Sequence, residues 1–225
     1  MTFRLTRRHA LLAAAATTGA AFAPPVFART AAAGACVLTP ETTAGPYYLA
    51  RELVRGDIRE DRAGVPLRLA LNVVDAACRP IPGARLDVWH CDAAGVYSAF
   101  GGGDAGQRSA KGETFLRGVQ MTDAAGAAEF TTIYPGWYPG RTTHIHFMVY
   151  LDRTRVLTGQ LFFPDALSDE IYGDDPAYRR GRRRTRLNGN DWIAQRAGRT
   201  SRLDVGRGAN GYVGRMTIGV DPSAA

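Results

Sequence analysis

From Leu67 to Val73 the chain alternates strictly, with Leu67, Leu69, Leu71 and Val73 separated by Arg68, Ala70 and Asn72. That period of two fits a half-buried β-strand and no helix. The same signature recurs in short runs along the chain. Leu86 and Val88 alternate with Arg85, Asp87 and Trp89, with His90 at the strand end, and Phe115–Thr122, Ala128–Ile133, Thr143–Leu151 and Val156–Phe163 follow. Between these runs stand turn formers, notably two Asp-Ala-Ala-Gly segments at 92–95 and 123–126. The second of these predicts a hairpin joining its flanking strands. Five to seven short strands predict an all-β chain, a β-sandwich of mainly antiparallel strands with long loops.

The segments outside these runs divide the 225 residues. Residues 1–28 carry Arg7-Arg8, an alanine-rich apolar stretch and a small-residue end at Val26-Phe27-Ala28. This reads as an export signal of twin-arginine type, with delivery to the periplasm or the exterior. The apolar stretch is too short to span a bilayer, and no other span is expected. Residues 29–225 then form one domain: an extended arm at 29–66, a sandwich core at 67–165 and a loop-rich region at 166–225, in which Ser168-Asp169-Glu170 offers a helix cap and Val205–Val220 one or two strands.

Formal charge is +7, and removing residues 1–28 takes away three arginines and no acid, leaving +4. The run Arg179, Arg180, Arg182, Arg183, Arg184 and Arg186 lacks a nucleic-acid motif and aromatic interleaving beyond Tyr178, so it reads as a solvated face or subunit contact and no nucleic-acid partner is expected. Cys36, Cys78 and Cys91 imply one disulfide and one free thiol in an oxidising compartment, with the pairing open. The glycine-rich stretch 101–112 reads as a mobile surface loop, a lid or a rim.

Chemistry concentrates near His144 and His146. Two residues apart on one strand, they share a face, while Ile145, Phe147 and Val149 take the other. Such a pair can bind one metal ion. Upstream, Pro135, Gly136, Pro139 and Gly140 force a sharp path beside Tyr134, Trp137 and Tyr138, and Tyr97 follows the first Asp-Ala-Ala-Gly turn. Two phenolates with two imidazoles suit Fe(III) better than Zn(II) or Cu. Each tyrosine alone would more often be a core or rim residue. Two rival readings remain at this level: an exported β-sandwich ligand-binding module without catalysis, and a different His/Tyr metal hydrolase.

Several spaced segments, TPETTAGPYY, DVWHCDAAGVYS, FLRGVQMTDAAGAAEFTTIYPGWY, GRTTHIHF, TGQLFFPD and a looser PAYRRGRRRTRLNGND, resemble the intradiol ring-cleavage dioxygenases, the family of protocatechuate 3,4-dioxygenase and catechol 1,2-dioxygenase. The resemblance implies non-haem Fe(III) held by Tyr97, Tyr138, His144 and His146. It also implies O2 and a catechol-type small molecule as substrates, and ring opening between the hydroxyl-bearing carbons to a muconate-type diacid. Arg141 and Gln160 would act beside the metal, and Gly45 and Pro46 would approach the substrate. His90 is expected to be structural, and Tyr134 is the competitor of Tyr138 for the ligand position. A homo-oligomer is left open. Only Pro139 and Gly140 separate Tyr138 from Arg141, a shorter link than in many members of that family, and this predicts a more open pocket.

Overall fold

The computed structural model describes residues 36–101, 108–181 and 183–225. The expected export signal, residues 102–107 of the glycine-rich loop and Arg182 lie outside these residues. Eight strands form two four-stranded sheets, which makes the chain an all-β sandwich. In chain order they are β1 (Pro66–Val74), β2 (Arg85–Trp89), β3 (Arg117–Met121), β4 (Ala127–Ile133), β5 (His144–Leu151), β6 (Thr154–Phe162), β7 (Asp204–Gly208) and β8 (Gly211–Gly219). One sheet runs β4-β1-β8-β7 and the other β3-β2-β5-β6. All neighbours are antiparallel except β1 and β8.

The alternation read from Leu67 onward is seen directly. Leu67, Leu69, Leu71 and Val73 are buried, and Arg68 and Asn72 are exposed. Across the sandwich, Leu86 and Val88 of β2 and Ile145, Phe147 and Val149 of β5 enter the same core. Each of these side chains contributes roughly 1.5–3 kcal/mol by leaving water.

Three expectations are corrected. The Asp123–Gly126 turn does not close a hairpin, because β3 pairs with β2 while β4 pairs with β1 in the other sheet. Its backbone is held locally, with Asp123 Oδ1 accepting from the amides of Ala125 (2.8 Å) and Ala127 (2.9 Å), and Val73 donating to Gly126 (2.8 Å). A tight turn of hairpin composition here carries the chain from one layer to the next. The sandwich also does not end at residue 165, since β8 is an inner strand between β1 and β7. Finally, Ser168 is not a helix cap: helix α1 spans Asp165–Asp174, and the Ser168 hydroxyl, buried within it, meets Tyr134 at 2.8 Å and Pro164 O at 3.2 Å. A second helix, α2 (Trp192–Ala197), starts at Asp191, whose carboxylate accepts the amides of Ile193 and Ala194. Among the described residues no helix is long and apolar enough to cross a membrane.

Register positions the functional face. Trp89 lies opposite His146 on one side, and His146 opposite Gln160 on the other, so the three form a row across β2, β5 and β6. Residues alternate along β5, so this row faces away from the core that Ile145 and Phe147 enter. The N-terminal arm covers it. Tyr48 packs its ring on Trp89 at 4.8 Å, and Thr42 donates to Thr158 of β6 at 2.8 Å.

The cysteine question left open by sequence is resolved as a Cys36–Cys78 disulfide with Cys91 free and buried. Within the basic run, Arg184 is not solvated. Its side chain is buried and pairs with Asp165 and Asp169, both at 2.8 Å. Arg180 lies over the Trp137 ring at 4.8 Å.

Candidate metal centre

His144 and His146 stand on β5 with both side chains buried and their Nε2 atoms 3.1 Å apart. His144 Nδ1 lies 2.7 Å from the Thr142 carbonyl, which only accepts, so Nδ1 carries the proton and Nε2 presents a lone pair. His146 is oriented differently. Its ring stacks on Trp89 (5.0 Å, 8°), and its Nδ1 is buried with no partner. Burial pushes the pKa of both imidazoles well down, assisted at His144 by the Arg141 charge and at His146 by His144 and Arg141. Both are therefore neutral, the form that ligates a metal.

The two tyrosines arrive from loops that lock together. Tyr97 follows β2 and Tyr138 follows β4, and the Gly136 amide donates to Asp92 O at 3.1 Å between them. A Cβ on Gly136 would collide with the carbonyls of Asp92 and Ala93, so only glycine permits this approach. The Tyr138 hydroxyl lies 3.0 Å from His144 Nε2. Tyr97 packs edge-on to Tyr138 at 5.7 Å, and its hydroxyl is sealed from solvent with no hydrogen bond of ordinary geometry. Burial raises both phenol pKa values, Tyr97 next to Tyr138 especially, so ionising them requires a compensating positive charge.

Four donors thus face one small buried volume with incompatible needs. His146 Nε2 and the Tyr138 hydroxyl both approach the single lone pair of His144 Nε2, and the Tyr97 hydroxyl is unpartnered. A cation would give all four groups a partner. Among the described residues no three His, Cys, Asp or Glu side chains group to hold a metal ion, and the oxygen donors beside the two imidazoles are the phenols of Tyr97 and Tyr138. The donor set fits Fe(III), a hard ion suited to phenolate oxygen and imidazole.

Arg141 and Gln160 sit beside these four. Arg141 Nη1 is 3.5 Å from His144 Nε2, Nη2 donates to Gln160 Oε1 at 2.6 Å, and Nε donates to Asp191 Oδ2 at 2.8 Å. Gln160 Nε2 donates onward to Thr43 O at 2.8 Å, tying the arm to the sheet. Gly45 and Pro46 line a cavity of ≈ 340 Å³ together with Tyr138, Arg141 and His146. Gly45 has φ +64, and a Cβ there would reach His146 Cε1 at 3.5 Å.

The two side chains expected not to be ligands, His90 and Tyr134, each have hydrogen-bond partners outside the group of four. His90 is fully buried, with Nδ1 at 2.8 Å from Cys91 O and Nε2 at 2.7 Å from the Thr132 hydroxyl. Tyr134 belongs to the main core, bonded to Ser168 and packed on Phe163.

Asp191, Arg117 and Tyr47 were not singled out by sequence. Asp191 is buried, yet its pKa is lowered: burial alone would raise it, and the Thr142 amide and Arg141 outweigh that. Arg117 is buried, with burial pulling its pKa down to about 10, and it donates to Ser98 Oγ (2.8 Å), Ser98 O (2.9 Å) and Tyr47 O (2.7 Å). It pins the Tyr97 loop to the arm. Tyr47 stacks on Tyr97 at 4.2 Å. The helix-start pattern at Asp191-Trp192 is a readable signal, whereas nothing local marks Arg117 or Tyr47.

Residues 42–190 match the model of the dioxygenase family. An intradiol ring-cleavage dioxygenase from Tetranychus urticae is similar in structure, with TM-score 0.76 and 33% identity over 83% of this chain and 96% of that one. The chain belongs to the intradiol ring-cleavage dioxygenases. Within that family it is also similar to the dioxygenase domain of a dioxygenase carbohydrate-binding fusion from Streptomyces sp. SirexAA-E (TM-score 0.60, 28% identity, 82% of this chain and 99% of that one). Catechol 1,2-dioxygenase 1 of Acinetobacter lwoffii is 31% identical over 62% of this chain. The chain spans half the length of that relative, 50%.

Proposed function

We propose that this chain is a non-haem Fe(III) dioxygenase that opens a catechol-type ring with O2 between its two hydroxyl-bearing carbons, giving a muconate-type diacid. The observation that carries the reading is the meeting of Tyr138 and His146 at His144 Nε2, with the unpartnered Tyr97 hydroxyl beside them. Tyr97, Tyr138, His144 and His146 would hold the iron, which when bound supplies Lewis acidity and a template for the catecholate.

The protein's own groups set the rest of the chemistry. Thr142 O fixes the His144 tautomer, and Trp89 fixes the plane of His146. Arg141, held on one side by Asp191 and on the other by Gln160, presents a permanent positive charge at the cavity wall where charge develops on the substrate ring. Gly45 and Pro46 let the arm close over the ring without filling its place.

The deciding experiment is O2 uptake by iron-loaded protein with catechol, protocatechuate and hydroxyquinol, with product analysis. A ring-opened diacid cleaved between the hydroxyls supports the reading, and cleavage outside them rejects it. Export by the twin-arginine route remains part of the proposal, resting on Arg7-Arg8 and the apolar stretch that follows. Replacing both arginines by lysine should retain the protein in the cytoplasm, and unchanged export would contradict that route.

A further inference from the structure

The cavity beside Tyr138 and Arg141 does not stand alone. A second chamber of ≈ 270 Å³ is lined by Glu41, Thr42, Thr43, Trp192, Ile193 and Arg196. Thr43 and Ile193 line both spaces, so the two adjoin at these residues. A single catechol ring fills only part of the first, and the pair together has the scale of sites that take much larger ligands.

Three features give the second chamber a chemistry. Trp192 is 66% exposed, whereas Trp89 and Trp137 are buried. An indole left in water beside a cavity offers a flat apolar face for a planar ligand. Its backbone position is set, because Asp191 both starts α2 and binds Arg141. Charge is unbalanced as well. The Glu41 carboxylate is neutralised by Arg155 at 2.7 Å, while Arg196 makes no ion pair with any described residue. An anion is the complementary group.

We infer that the second chamber is a subsite for the arm of an extended substrate, a catechol bearing a flat unsaturated or aryl substituent that ends in a carboxylate. The arm lies against Trp192 and its carboxylate meets Arg196, while the ring occupies the cavity beside Tyr138. This rests on the catechol reading above and adds the class of catechol.

The test compares catechol, 3,4-dihydroxycinnamate and the corresponding amide with the wild type, Trp192→Ala and Arg196→Glu. Binding is measured by calorimetry without O2, on protein with and without iron, and turnover as kcat/KM in air. Trp192→Ala should lower affinity and kcat/KM for the acid on the order of tenfold more than for catechol. Arg196→Glu should penalise the acid by a similar factor relative to its amide. If both variants keep the wild-type ratios, the subsite is overturned. Failure of the wild type to open any catechol would instead strike the ring-cleavage reading, and the calorimetric ratios on iron-free protein would still decide the arm site.

Discussion

Asp191 Oδ2 accepts two hydrogen bonds, from Arg141 Nε at 2.8 Å and from the Thr142 amide at 2.9 Å, so one carboxylate oxygen sets both the cation beside the metal centre and the strand entry that leads to His144. Its other oxygen starts α2. Asp191→Ala should therefore disturb geometry and stability together. Breaking a buried pair of this kind costs about 3 kcal/mol. Thermal melts should show that loss, with turnover falling more than iron content. Wild-type turnover in a folded Asp191→Ala protein would remove it from a positioning role.

The proposed function gives Arg141 a role in rate through its charge. Arg141→Ala should keep the visible band of the iron-loaded protein and lose turnover by roughly a hundredfold, comparable to removing one preorganised donor. Lysine should rescue only part, since it cannot contact Gln160 and Asp191 at once in the planar geometry seen here. Full activity in Arg141→Ala would contradict the role.

Much of this site was legible because its signals are local. An alternating strand with His144 and His146 on one face needs no tertiary information, and glycine and proline around Tyr138 mark a forced path. The main core followed from the same alternation at Leu67–Val73. What stayed hidden depends on contacts distant in sequence. Arg117 reads as a strand charge until its bonds to Ser98 and Tyr47, 19 and 70 residues away, are seen. The Asp123–Gly126 turn has hairpin composition, but which sheet receives β4 is decided by pairing with β1, across the sandwich. The basic run at 179–186 hid a buried, ion-paired member, Arg184, in a related way, because the acids that pair with it lie on α1.

His90 makes the fold acid-sensitive. Burial lowers its pKa from 6.5 to about 4, and its bonds to Cys91 O and Thr132 define a neutral ring. Between those values the unfolded chain binds a proton that the folded one does not, so stability falls as pH drops from 6.5 towards 4. The full effect is on the order of 3 kcal/mol. Denaturant titrations at pH 7 and pH 4.5 should show a smaller difference in His90→Gln than in wild type, with iron retained in the variant at pH 7. An identical pH dependence would exclude His90 as its source.

The Cys36–Cys78 disulfide, 42 residues apart in sequence, anchors the arm near the β1 end. Reduction or Cys78→Ser should destabilise the folded chain by about 2–4 kcal/mol. Because Cys91 is the free cysteine, thiol titration of the unfolded, unreduced protein should find one reactive group, and three would refute the pairing.

The four-donor centre is tested most directly by the visible absorption spectrum of the iron-loaded protein in four forms: wild type, Tyr97→Phe, Tyr138→Phe and Tyr134→Phe. Phenolate bound to Fe(III) gives an intense charge-transfer band. The account predicts a band that weakens or shifts in Tyr97→Phe and in Tyr138→Phe, and that is nearly unchanged in Tyr134→Phe, whose hydroxyl is bonded to Ser168 in the core. A colourless wild-type protein with full ring-opening activity, or a band that responds to Tyr134 and not to Tyr138, would contradict it.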